Sequence, residues 1–187
     1  LLDGYRFCGF HLEDRHRRMV RQQFRRQVDA LPPDARGPAE SAIEALREAG
    51  RLQSALLELG SALDRAGSFH AASGVHLIGY ELAIQRGSGS GGIDAARSAG
   101  RAFRRAGQLT ASLEWYGLAS RIAEVEQDWR GLAMASDGAG NTHRYQGSFP
   151  RARESYAKAW RFAKLSRDPT AIAKAAPSMA VVERWAG

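Results

Sequence analysis

The chain has 187 residues, with 27 Lys and Arg against 20 Asp and Glu, for a net charge of +7. That length holds one compact domain or an array of roughly four to five helical hairpins. No apolar run approaches the ~20 residues needed to span a bilayer. The lone Cys8 excludes a disulfide framework and fits a reducing cytoplasm. Ala, Arg, Leu and Glu dominate, which favours helix, and no strand-like alternation persists. Nearly all the positive charge is arginine, since only Lys158, Lys164 and Lys174 are lysine. Such an excess reflects either an anionic partner or a GC-rich genome.

In chain order, residues 1–9 read as a lead-in from missing upstream sequence, because the first residue is Leu1 and no signal peptide is visible. Residues 10–31 predict a helix with Leu12, Met19, Phe24, Val28 and Leu31 on one face. Pro32-Pro33 is expected to end it, with a loop over 32–38 and a short helix over 39–49 closing at Gly50. Residues 1–49 are therefore a lead-in plus a degenerate helical hairpin, and 50–187 form a repeat array. Its paired helices are expected at 51–66 with 69–86, 93–106 with 109–126, and 128–146 with 149–167, followed by a lone helix at 170–185. The corresponding units are 50–87, 92–126, 128–167 and a half repeat 170–187. The Gly-Ser run at 87–92 reads as a flexible linker between units. The end at Gly187 falls where a repeat's second helix should begin.

The array rests on two ladders of small residues. Gly67, Gly107, Gly147 and Gly187 stand 40 residues apart, and so do Gly60, Gly100, Gly140 and Ala180. With the first ladder numbered position 15, position 3 is Ala55, Ala95, Ala135 and Ala175. Position 20 is Ala72, Ser112 and Ala152, and position 27 is Gly79, Ala119 and Ala159. Larger residues hold position 17 (Phe69, Leu109, Phe149) and position 24 (His76, Tyr116, Tyr156). A fixed step of this size means stacked supersecondary units. Glycine at 15 suits a helix end with φ > 0. Small residues elsewhere let helix backbones approach, with the large ones filling the gaps.

This pattern resembles the tetratricopeptide repeat (TPR), a helix–turn–helix unit with small residues at 8, 20 and 27, aromatic residues at 11, 17 and 24, and a turn former at 15. The resemblance covers about residues 50–187 and is carried best by Gly100, Phe103, Gly107, Tyr116 and Ala119, and by Gly140, Gly147, Phe149, Ala152, Tyr156 and Ala159. It implies an all-α, right-handed α-solenoid of antiparallel helical hairpins. The chain departs from the family in its period, 40 rather than about 34 residues, and in lacking a large residue at position 4, where Leu56, Ala96, Ser136 and Ala176 stand. Pro169 comes at position 37. The resemblance is thus to a long-period variant.

Catalytic and metal chemistry finds little footing. The Gly-Ser run lacks the Gly-Lys-Ser/Thr ending of a phosphate loop and no strand precedes it. Cys8, His11 and His16 lack a fourth zinc ligand unless Glu13 or Asp14 serves. His76 falls on a core position and reads as a packed histidine. No nucleophile–base constellation or carboxylate pair stands out. The expectation is a non-enzyme without cofactor or metal.

In the resembled family the first helix of each hairpin lines a concave groove through positions 2, 5, 9, 12 and 13. Here these are Asp94, Arg97, Arg101, Arg104 and Arg105, then Met134, Asp137, Asn141, Arg144 and Tyr145. The candidate ligand-binding residues are Arg97, Arg101, Arg104, Arg105, Asn141, Arg144 and Tyr145. Guanidiniums hold carboxylates bidentately, and Asn141 is expected to meet a ligand's backbone. The competing expectation is internal pairing of Arg97 with Asp137 and of Arg104 with Asp64. Reversal of Arg101 and Arg104 to Glu is expected to spare the fold.

The preferred function is therefore a cytoplasmic scaffold for a protein or peptide partner, acidic or carboxylate-bearing. Rival readings are the sensor or regulatory part of a larger bacterial signalling or transcription protein, and a nucleic-acid-binding array. Nucleic acid is not favoured: Arg15, Arg17, Arg18, Arg21, Arg25 and Arg26 on the first helix lack interleaved aromatics. No membrane partner is expected. Self-association is expected through Met179, Val182 and Trp185 of the last helix.

Overall fold

A computed structural model describes residues 22–46 and 51–184, with side chains as far as Val181. Everything in it that forms regular structure is helix. α1 is residues 22–29, followed by α2 Pro33–Ala45, α3 Leu52–Arg65, α4 Phe69–Gln85, α5 Gly89–Arg105, α6 Leu109–Val125, α7 Trp129–Tyr145, α8 Phe149–Ser166 and α9 Pro169–Arg184. The chain is an all-α solenoid of antiparallel hairpins.

One local motif sets the spacing. Left-handed residues stand at 67, 87, 107, 127, 147 and 167, with φ between 53° and 82°. At most of them the next N–H reaches five residues back, as in Ser68 to Leu63, Ser88 to Ala83, Gln108 to Phe103, Asp128 to Ala123 and Ser148 to His143. The left-handed residue itself bonds three back, as Gly107 does to Arg104. This is a Schellman closure, which satisfies carbonyls the helix end leaves open. The residue that completes it also opens the next helix. Ser88 Oγ accepts from Gly91 N at 3.2 Å, and Asp128 Oδ1 from Gly131 N at 2.9 Å. Three residues thus reverse the chain, and helices of 17 residues fill the rest of a 20-residue step.

Two expected loops are helix. Pro32-Pro33 does not open a loop over 32–38, because Pro32 is the N-cap of α2 and Pro33 its first residue. Proline is pre-organised there, and the N–H it lacks would have no intrahelical partner. The Gly-Ser run is likewise no linker: only Gly87 and Ser88 turn, and Gly89 to Gly92 form the first turn of α5. A Cβ on Gly89 would strike the Glu126 side chain, whose carboxylate lies against the helix N-terminus, where negative charge is favourable. Gly92 is buried against Ile84 and Ile122. Burial and capping there outweigh glycine's poor helix propensity.

Consecutive helices pack along the array, and α3 also touches α5, α5 touches α7, and α7 touches α9. Among the described residues α4, α6 and α8 make no such contacts with one another. The first helices of the hairpins therefore form the tight inner row, and the second helices the splayed outer one. Ala55, Ala95, Ala135 and Ala175 are buried in that inner row. The glycine ladder seats the aromatic ladder. A Cβ on Gly100 would lie 3.1 Å from the Tyr116 ring, and one on Gly140 2.6 Å from Tyr156, while one on Gly60 would overlap His76. Gly138 presses on the other side of Tyr116. Position 17 fills gaps less completely than its size suggests, for Phe149 is half-exposed.

Residues 1–21 lie outside the described residues, and with them Cys8, His11, His16 and most of the basic helix. Of that helix, Arg25 pairs with Asp29 at 3.1 Å and Glu44 at 3.9 Å. Val182 and Trp185 of the expected self-association face also lie outside the described side chains.

Two stability outcomes follow. Gly140→Leu forces a side chain into the Tyr156 ring and should cost ~1–3 kcal/mol by overpacking; an unchanged thermal midpoint would show the ladder to be dispensable. Conversely, Gln127 and Arg167 hold φ of 53° without being glycine. Gln127→Gly should relieve up to about 1 kcal/mol of backbone strain. In a chain of this size that raises the midpoint by ~2–4 °C, readable by circular dichroism.

Candidate functional site

The inner row places the site. On α5, the i, i+4, i+7 spacing puts Arg97, Arg101 and Arg104 on one face. Facing them are Met134, Asp137 and Asn141 of α7, then Ala171, Lys174 and Ala175 of α9, with Tyr116 in the floor. Together they line a recess of about 170 Å³. Of the candidate residues it brings together Arg97, Arg101, Arg104 and Asn141. Arg105, Arg144 and Tyr145 do not line it. Tyr145 is 60% exposed, with the guanidiniums of Arg104 and Arg144 at 5.2 and 5.0 Å from its ring.

The internal pairs differ from those expected. Arg97 Nη1 donates to Asp94 Oδ1 at 2.7 Å, within its own helix, and not to Asp137. Asp64 takes Arg101 Nε at 3.1 Å and Arg105 Nη1 at 3.0 Å, and not Arg104. Asp64 is 2% exposed, so these guanidiniums compensate a buried carboxylate and clip α3 to α5. Removing one partner of a fully buried pair costs on the order of 3–5 kcal/mol. The cost is less here, because both guanidiniums reach solvent. Reversal of Arg101 to Glu would set two carboxylates against each other, so that variant is no neutral probe of the groove. Arg105 also covers the Phe69 ring at 4.6 Å. A second, larger and more open recess of about 710 Å³ also includes Arg101 and is lined by Pro38, Ser41, Leu57, Ser61, Asp64 and Arg105, among others.

Asn141 is committed internally. Its Nδ2 donates to the Asp137 backbone oxygen and to Asp137 Oδ2, each at 3.0 Å, and its Oδ1 accepts from Tyr156 Oη at 3.2 Å. Both of its Nδ2 hydrogens are thus engaged within the protein. Asp137 Oδ1 accepts from Ser178 Oγ, which ties α9 to α7. Burial pushes the Asp137 carboxyl above its usual range, against the donors on it. Burial lowers Arg97 and raises Tyr116. Arg104 Nε is buried without a hydrogen-bond partner.

Lys174 was missed by sequence reasoning, although a signal was present: it occupies position 2 of the last half repeat, in register with Asp94 and Met134. With it, four cationic side chains line the recess against one acid, Asp137. Among the described residues no three His, Cys, Asp or Glu gather as a metal site, and no helix is long and apolar enough to cross a membrane.

Among solved structures the chain is similar to the TPR domain of Arabidopsis FLU, at 21% identity, with a TM-score of 0.56. The match covers 62% of this chain and 96% of that one. The fold is TPR-like. No family model and no curated protein matches the chain. The likeness shows architecture alone, and a TPR-like architecture does not by itself assign a ligand.

His76 lies beneath this surface and gives a pH outcome. It is 1% exposed, neither ring nitrogen has a hydrogen-bond partner, and burial together with Arg101 lowers its pKa to about 3. Below the ordinary value near 6.5 the unfolded chain takes up a proton that the folded chain refuses. Stability is therefore fully present above about pH 6.5 and falls as pH drops toward 3. The urea midpoint should be lower at pH 5.5 than at pH 7.5, and His76→Leu should remove most of that difference; an equal difference in both proteins would assign it to other groups.

Proposed function

We propose that this chain is a non-catalytic scaffold that binds a protein or peptide segment on its concave face, with acidic or carboxylate-bearing segments preferred. The observation that carries the reading is the charge of the recess: Arg97, Arg101, Arg104 and Lys174 against the single acid Asp137. Inner helices stacked in register give an extended concave surface of the kind solenoids use for binding. Cationic heads around a partly enclosed space attract anions more strongly than they would in bulk water. The single cysteine suits a cytoplasmic setting.

The test uses a labelled oligoglutamate peptide, with oligolysine as control, followed by fluorescence anisotropy. Oligoglutamate should bind and weaken as salt rises. The double variant Arg104→Gln/Lys174→Glu should weaken it at least about tenfold, since charge-assisted hydrogen bonds are lost, with helicity unchanged. Arg101 is left alone because it holds Asp64. Binding that ignores the double variant, or an equal response to oligolysine, overturns the reading.

A further inference from the structure

We infer that the anionic group selected by the α5–α7–α9 recess is a phosphate monoester, carried on a phosphorylated segment of a partner protein. The inference rests on the concave-face reading above and narrows it.

The donors in the recess suit a phosphate better than a peptide main chain. Asn141 is the side-chain amide among the lining residues, and both its ends are engaged by Asp137 and Tyr156. What remains is guanidinium and ammonium. A guanidinium carries five N–H donors. Asp94 engages Nη1 of Arg97 and Asp64 engages Nε of Arg101, while the buried Nε of Arg104 has no hydrogen-bond partner. Arg104 also meets the Tyr116 hydroxyl, and the donors that remain, spread over three guanidiniums and Lys174, suit a group that accepts from several sides at once. A phosphate monoester offers three terminal oxygens and a charge of about −1.5 to −2. A carboxylate offers two oxygens and a single charge.

Size and charge agree. A recess of about 170 Å³ is many times the ~10–15 Å³ that a single water needs on that measure. A tetrahedral oxyanion fits with solvent beside it. Four cations and one acid line the recess, and Asp94 and Asp64 pair with Arg97 and Arg101 from outside it, which leaves Arg104 and Lys174 as the lining cations outside any ion pair among the described residues. Their guanidinium and ammonium suit a dianion, which a single carboxylate does not match in charge. Asp137, the one acid of the lining, is turned to Ser178 and Asn141, which donate to its two oxygens. Clusters of arginine are a general device for phosphorylated motifs.

Isothermal titration calorimetry on the full chain decides it, with three synthetic peptides identical except for a central phosphoserine, Glu or Ser, each flanked by acidic residues. The phosphoserine peptide should bind at least about tenfold tighter than the Glu peptide, through its extra charge-assisted bonds. Arg104→Lys keeps the charge and removes the planar fork; it should reduce that advantage to about twofold or less. The exposed Lys174→Ala tests the same point on another helix, so a folding defect at Arg104 does not end the experiment. Equal affinity for phosphoserine and Glu overturns the phosphate inference and leaves the acidic-segment reading standing. No binding by any of the peptides overturns both. Inorganic phosphate that competes as well as the phosphoserine peptide, mole for mole, overturns the assignment to a phosphorylated segment.

Discussion

The three-residue turn is the constraint on which the rest of the molecule depends. A left-handed residue ends one helix, and the residue after it closes the Schellman bond and opens the next. With no slack in the connection, α4 to α7 all have 17 residues, about 25 Å at 1.5 Å per residue. Helices of one length from α4 to α7, reversed by one turn, return side chains to the same height in successive hairpins. That is why Ala55, Ala95, Ala135 and Ala175 are buried alike, and why α5, α7 and α9 present their polar residues to a common recess.

Packing and groove chemistry share residues. Tyr116 and Tyr156 are seated on the backbones of Gly100 and Gly140, which is possible only because those positions carry no Cβ. The same rings carry polar ends to the concave side, where Tyr116 lines the recess and Tyr156 bonds to Asn141. In the first hairpin the equivalent residue is His76, whose ring nitrogens find no partner. Burying an unpaired polar group is costly. The core here is otherwise rich in large aliphatics, with Leu52, Leu56, Leu59 and Leu63 joining Phe24, Val28, Ile43 and Leu46. The N-terminal hairpins are thus held by bulk, and the C-terminal ones by alanines, glycines and rings.

Legibility in the sequence tracks these forces. The 40-residue ladder is visible because Gly67, Gly107 and Gly147 mark the turns from α3 to α4, α5 to α6 and α7 to α8. The 20-residue step was hidden because the intervening turns use Gly87, Gln127 and Arg167, and only one of these announces a left-handed residue. The Gly-Ser run reads as a linker by propensity, a weak prior beside a Ser88 cap and burial of Gly92. The α5 arginine face was readable from spacing alone, while the partners of those arginines were not. Asp64 shares register position 12 with Arg104, yet its carboxylate meets Arg101 and Arg105. Helical side chains lean toward the N-terminus and long ones span a turn, so equal register does not mean contact. Asn141 shows the same limit: its place on the inner face follows from register, and its commitment to Asp137 does not.

The acids of the groove are better understood as holders than as neutralisers. A formal count sets Asp64, Asp94 and Asp137 against the arginines and leaves little net charge. Geometry says otherwise. Asp94 and Asp64 are absent from the recess lining and grip Arg97 and Arg101 from outside it. Each such contact fixes a long side chain whose rotamer freedom is otherwise worth up to ~2 kcal/mol. Guanidiniums already ordered by a carboxylate on one side lose less entropy when an anion arrives on the other. Ordering by Asp94 and Asp64 would lower the entropy cost of an anion on the other side, and their charge would offset part of its attraction. Tyr145 extends the arrangement to the lip, where the guanidiniums of Arg104 and Arg144 lie against its exposed ring.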